Sequence, residues 1–356
     1  IHDDLSDRHT SLHDRCRNES VYQCAADSIF EPEVSVVAHG LEGKVIMLYG
    51  TNNTGKTYNC AKMKNALFFM CENGLGAQAG VKHKMINNWR MFTKYIKELT
   101  DPKTVERAKE IYSTIVIDEV YASSLFCQKF VCDTYGGGCI SLGANENSKV
   151  NLYQIYERIY WEQIQKLVTS GYTVVFVAHA DEKDGFIQPK GDKRCIKPIV
   201  DNCDVVAYLE PNGVDEDGHV IKSSAYFAQT DKFFARSRYD FMVTKIEEFT
   251  ADNLEKAISD AITKQEEADG IKSVSYDEQQ SMYEEKETMS FEQLQEEIAL
   301  WGGKLAASDH METLTDIVEQ TLGVGKKVSQ CTKKQTEAMS IILEDIKDAC
   351  AELGVA

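Results

Sequence analysis

The stretch Gly50-Thr51-Asn52-Asn53-Thr54-Gly55-Lys56-Thr57 has the residue types and spacing of a phosphate-binding loop, GxxxxGK[ST]. Its two glycines allow a backbone that wraps an anion with N–H groups. Lys56 has the reach to meet the β- and γ-phosphates of a nucleoside triphosphate, and the Thr57 hydroxyl is a ligand for Mg2+. Tyr58 completes the run expected to contact the nucleotide. The loop follows an apolar run, Val45–Tyr49, and opens a helical pattern, which is the setting this motif requires.

Other residues supply what phosphoryl transfer needs. Ile115-Val116-Ile117-Asp118 is an apolar run ending in a carboxylate, and Asp118 is expected to hold Mg2+ with Thr57. Hydrolysis also needs a carboxylate that orients and polarises water. Glu119, beside Asp118, is one candidate. Glu72, at the end of the apolar run Ala66–Cys71, is the other. Both should emerge on the same sheet edge, and the sequence leaves both open. His179 ends the run Thr173–Ala178, where it can touch a γ-phosphate and report its presence to the following loop.

The elements that must position these groups are legible as buried strands. Val45–Tyr49, Ala66–Cys71, Ser113–Ile117, Thr173–Ala178 and Asp204–Leu209 are short continuous apolar runs of the kind covered on both faces. Helical patterns after Lys56, near Asn87–Leu99 and over Leu152–Thr169 separate most of them. The alternation predicts an α/β fold with a mostly parallel central sheet flanked by helices. Ser223–Gln229 reads as a further strand, antiparallel at the edge.

Organisation and charge follow the same division. Residues 1–40 read as an N-terminal extension, 41–264 as the ATPase domain, 265–289 as an acidic linker and 290–356 as an acidic helical module. The module has S/T-x-x-Q capping boxes at Ser290–Gln293 and Thr332–Gln335, a cap at Ser308, and Gly354 at its last helix end. Net charge is −18, which argues against a broad basic surface for nucleic acid. Yet residues 41–250 hold 26 acidic and 26 basic groups, whereas 251–356 hold 23 and 10. A local cationic cluster therefore stays compatible with DNA. No apolar run approaches membrane-spanning length, and residues 1–20 have no secretory pattern. The 11 cysteines are odd in number, and Cys127, Cys132 and Cys139 match no common zinc spacing. Free thiols in a cytoplasmic protein are expected.

The order of phosphate loop, Glu-ended second strand, Asp-ended third strand, then a helix and a strand ending VVFVAH resembles RecA-like ATPases rather than AAA+ ones. More narrowly, the chain is similar to phage-encoded RecA-like proteins of single-strand annealing and recombination. Asp201-Asn-Cys-Asp204-Val-Val-Ala-Tyr-Leu and Phe234-Ala-Arg236-Ser-Arg238 also look like that family, and the likeness covers about residues 41–250. It implies ATP and Mg2+ as cofactors, a RecA-like domain and a homo-oligomer. It shifts the catalytic carboxylate toward Glu72, although the Asp118-Glu119 pair is more AAA-like. It implies that Arg236 and Arg238 approach nucleotide across a subunit interface. It places two loops facing single-stranded DNA, within 120–149 and 180–200. The first carries Tyr121, Phe126, Phe130, Tyr135 and three glycines. The second carries Lys190, Lys193, Arg194 and Lys197, cations suited to phosphates.

Two functions of different class follow. One is a recombination, repair or replication ATPase that binds single-stranded DNA in a nucleotide-dependent way. The other is a P-loop ATPase acting on a protein, as a loader or switch, docked through the acidic module. A nucleotide kinase fits less well, because no Arg-rich lid is evident.

Overall fold

The computed structural model describes residues 34–76, 78–145, 149–283 and 289–355. Most of the predicted N-terminal extension therefore lies outside the described residues. In chain order, β1 (Val45–Gly50) leads into the short helix α1 (Lys56–Cys60). Then come β2 (Ala66–Met70), β3 (His83–Met85), α2 (Trp89–Thr100), α3 (Val105–Ile111) and β4 (Thr114–Asp118). Next are α4 (Val120–Tyr135), α5 (Leu152–Thr169), β5 (Thr173–Lys183), β6 (Phe186–Pro189), α6 (Lys193–Asn202) and β7 (Val205–Glu210). The edge strands are β8 (Ser224–Tyr226), β9 (Arg236–Ser237) and β10 (Lys245–Ile246), followed by α7 (Ala251–Asp269) and α8 (Tyr276–Tyr283).

The strands form one sheet in the order β10-β8-β7-β1-β5-β4-β2-β3, with β6 on β5 and β9 on β7. From β7 to β3 every pairing along the path is parallel. The predicted edge strand is β8, antiparallel to β7. Alternate residues of the central strands enter two cores. Met47, Tyr49, Phe69, Ile117 and Phe176 join α2 and α5 on one face, through Phe92, Ile96, Tyr160 and Ile164. Ile46, Leu48, Phe68, Val116 and Val175 meet Leu254, Ile258 and Ile262 of α7 on the other. Being covered on both faces is why each strand is a continuous apolar run rather than an alternating one. No helix among the described residues is long and apolar enough to cross a membrane.

Three expectations are revised. Residues 120–135 form α4 rather than a loop: Val120, Ser123, Ser124, Cys127, Val131 and Cys132 recur at helical spacing and are buried. Residues 180–200 are ordered as the β5–β6 hairpin and α6. The hairpin turns at Asp184-Gly185, both with positive φ, the residue pair that a tight turn favours. The acidic segment 265–289 begins as structure rather than linker. Helix α7 runs to Asp269, Val274 bridges Ala38, and Tyr276 of α8 is buried and bonds to the Val168 carbonyl. One aromatic anchor offsets the low apolar content there. Residues 284–288 lie outside the described residues.

The chain divides into two units after Gln280. In the second unit, α9 (Phe291–Ala307), α10 (Met311–Leu322) and α11 (Thr336–Leu353) share a core of Leu294, Ile298, Leu305, Met339, Ile342 and Ile346. The Ser290–Gln293 capping box is present, and Gly354 caps α11 in the left-handed conformation. The other two cap expectations are not met. His310, not Ser308, precedes α10, and Gln335 starts α11 while its side chain accepts bonds from Thr332.

Candidate active site

The parallel register sets the site. Gly50 at the end of β1 pairs with His179 of β5, and Asp118 of β4 pairs with Met70 of β2. The phosphate loop, Asp118, Glu119, Glu72 and His179 thus meet at the carboxyl ends of adjacent strands, where open α/β sheets hold ligands.

Within the loop, a Cβ on Gly50 would come 2.5 Å from the Leu209 carbonyl oxygen, so only glycine fits there. Gly55 has φ +80°, the left-handed region, as the chain turns into α1. The Thr54 hydroxyl donates to the Thr51 carbonyl at 3.0 Å and braces the turn. Thr51, Asn52 and Asn53 are exposed, as is Tyr58. Lys56 is buried, and its ammonium donates to Gly50 O (2.9 Å), Thr51 O (2.6 Å) and Thr54 Oγ1 (3.3 Å). These three acceptors match its three N–H donors, so an entering phosphate exchanges with carbonyls already arranged around the amine. Burial lowers the Lys56 pKa to about 8, opposed chiefly by the nearby Asp118 charge.

Thr57 Oγ1 donates to Asp118 Oδ2 at 2.8 Å. Burial pushes the Asp118 carboxyl up, and the Thr57 bond pulls it back. A hydroxyl and a carboxylate held this closely form the oxygen donor set that Mg2+ takes. Thr57 and Asp118 would therefore hold Mg2+, which when bound supplies positive charge beside the phosphates.

Glu72 Oε1 lies 3.3 Å from His179 Nε2, and both groups are partly exposed. Glu119 is buried, and its Oε2 has no hydrogen-bond partner among the described residues. Burial raises the Glu119 pKa, His179 lowers it, and Glu72 raises it again. A ligand atom from each of Glu72, Glu119 and His179 lies within 4.8 Å of the others. Both candidate carboxylates therefore face the same spot, and the imidazole lies between the phosphate-loop strand and the acids.

The remaining predicted residues divide. Lys190 is drawn to the site: the β5–β6 hairpin returns the chain so that its N–H donates to the His179 carbonyl at 2.9 Å, and its charge acts on Glu119. Its ammonium lies 5.3 Å from the Tyr121 ring centroid. The sequence alone suggests only a DNA-facing role for Lys190. The Asp184-Gly185 turn was the signal for its return to the crevice. Arg194 stacks on Tyr153 at 3.8 Å. Lys193 and Lys197 line a cavity of about 190 Å³ with Pro189, Ile196 and Phe234, and Lys197 pairs with Asp201. Arg236 and Arg238 are not brought to this chain's own loop. They lie where β9 pairs with the start of β7, at the opposite ends of the parallel strands, and both donate to the Asp201 carbonyl at the end of α6. Arg238 also pairs with Asp204 at 3.2 Å.

Comparison with known proteins agrees with this geometry. Residues 42–239 match the family described as AAA domain. Over 328 residues the chain is 48% identical to the SPbeta prophage-derived uncharacterized protein YorG of Bacillus subtilis (strain 168), covering 92% of this chain and 100% of that protein. With the phosphate loop, its lysine and the Thr57–Asp118 pair in place, the chain belongs to the AAA-domain family of P-loop ATPases.

Proposed function

We propose that the chain is an ATP-hydrolysing protein of DNA recombination, repair or replication, and that it grips single-stranded DNA in a nucleotide-dependent way. One observation carries this reading. Strand β5 runs from His179, beside the phosphate loop, directly into the hairpin leading to Lys190, Lys193, Arg194 and Lys197, and the hairpin closes on His179 itself through Lys190. In this reading a phosphate that shifts His179 is felt by the segment carrying those cations through that bond. The mobile-genome origin of the prophage relative is in keeping with a phage-type recombination role.

In this reading Lys56 binds the terminal phosphates, and Glu72 orients and polarises the attacking water with His179 beside it. Glu119, buried and raised in pKa, supports the cluster. Lys190 offers a cation at the crevice, where charge develops during transfer. Arg236 and Arg238 reach phosphate only from a neighbouring subunit of a RecA-like homo-oligomer. The assay is fluorescent single-stranded oligonucleotide binding with ATP, a nonhydrolysable analogue, ADP or no nucleotide. Tight binding in the ATP states alone is the expected result; equal affinity in all four ends the proposal. Lys56→Ala removes nucleotide binding. Mixing Lys56→Ala with Arg236→Ala/Arg238→Ala subunits restores hydrolysis if the arginines act across an interface.

A protein-directed ATPase is the second reading. It is favoured by Phe130, Tyr135 and Ile140, exposed near the end of α4, and by the acidic second unit. Retention of a protein partner by the whole chain, lost on removal of residues 281–356, would favour it over DNA.

A further inference from the structure

Thr57 and Asp118 account for the cation that accompanies a nucleotide, yet three further ligand-type side chains, those proposed above to handle the attacking water, cluster on their own. The geometry points to a second divalent-cation site, formed by Glu72, Glu119 and His179 and suited to a nitrogen-accepting transition ion such as Mn2+. Each residue contributes one donor atom within 4.8 Å of the other two. Independently of that clustering, Glu119 is 3% exposed and its Oε2 has no hydrogen-bond partner among the described residues. A buried carboxylate oxygen without a partner is costly, and a cation at this position would satisfy it. Two ionised carboxylates would balance the charge of a divalent ion.

The donor set also selects among ions. Imidazole suits Fe2+ and Zn2+ best, and Mn2+, which shares the preference of Mg2+ for carboxylate oxygen, tolerates it, whereas Mg2+ keeps to oxygen and water. Bonds near 2.1 Å place two ligands of one ion within about 4.2 Å of each other. The cluster therefore closes by a fraction of an ångström, a movement open to the partly exposed Glu72 and His179. Three protein ligands leave coordination positions open toward the crevice. The two cation sites are distinct in ligands: an all-oxygen pair at Thr57 and Asp118, a mixed nitrogen–oxygen triad here. The bearing of this site on hydrolysis rests on the ATPase reading above, but its occupancy does not.

The test uses the full chain, stripped with chelator and free of nucleotide, titrated with Mn2+ while free ion is followed by electron paramagnetic resonance. One Mn2+ per chain should bind and resist displacement by a large excess of Mg2+. His179→Ala and Glu119→Gln should each weaken it by more than the ~10–100-fold typical of losing an outer-shell partner, whereas Asp118→Asn keeps it. Circular dichroism checks the fold, and the isosteric Glu119→Gln carries the test if His179→Ala does not fold. Absence of bound Mn2+ overturns the site. So does ready displacement by Mg2+, or Mn2+ that survives His179→Ala and is lost in Asp118→Asn. Mn2+ binding without any ATPase activity would instead count against the ATPase reading and leave this site standing.

Discussion

Lys56 shows how burial turns a motif residue into a pH-sensitive one. Its pKa in the nucleotide-free chain is about 8, against 10.5 ordinarily. Bound phosphate favours the charged amine, so binding raises that pKa. Below about 8 the amine is already charged, and binding takes up no proton. Above it, binding requires proton uptake, and affinity should fall toward ~tenfold per pH unit. Calorimetry in two buffers of different ionisation heat should give near-zero uptake at pH 7 and close to one proton at pH 9. No uptake at pH 9 would show the amine is not shifted. The same shift works against stability below about 8, and that cost fades as pH rises toward 10.5. Gly50 is the other decisive residue. In Gly50→Ala the new methyl meets backbone of β7, which cannot rotate away. A loss of about 1–3 kcal/mol is expected, read by denaturant unfolding, together with weaker ATP binding. Gly76→Ala, with open space around it, should stay within about 0.5 kcal/mol. Both the loop and Asp118 were legible in the sequence, because the motif fixes residue types at fixed spacing. Glu119's missing hydrogen bond was not, since it depends on how β2, β4 and β5 meet.

Among elements, the central strands were readable because burial on both faces forces apolar residues at every position, as in VIMLYG of β1. Helix α4 is hard to read in the sequence because its buried face mixes Ser123, Ser124, Cys127 and Cys132 with Val120 and Val131. Periodicity was present, but hydrophobicity was weak. The tie between β1, β7 and β9 was invisible for another reason: its partners are far apart in sequence. Asp204 Oδ2 accepts the Val45 N–H at 2.8 Å while Oδ1 accepts from Arg238 Nη1 at 3.2 Å. Asp204→Ala leaves Val45 and Arg238 without that carboxylate and should cost about 1.5–3 kcal/mol. Arg238→Ala should cost less, because the guanidinium is half exposed. Chemical denaturation of both variants checks the ranking. If Arg238→Ala proves the more damaging, Asp204 is not the hub of the tie.

At the scale of the whole molecule, the place where the chain is cut matters more than how much acid is removed. Composition suggested that order ends near residue 264, yet Val274 bridges Ala38 and the ring of Tyr276 packs against Gly43 and Gly171. A chain ending at Lys264 should therefore unfold at lower denaturant than one ending at Gln280. The core of the second unit draws only on residues of that unit, so the chain ending at Gln280 should keep its ATP affinity. Residues 281–356 hold 15 acidic and 7 basic groups, and if the chain grips DNA as proposed, that surplus would oppose the approach of DNA phosphates. Removing it should tighten single-stranded DNA binding at low salt. The gain should vanish near 1 M salt, where screening acts within ~3 Å. Oligonucleotide titrations of the whole chain and of the chain ending at Gln280, across a salt series, decide the matter. Identical affinity and identical salt slope would mean that the acidic unit does not restrain DNA binding.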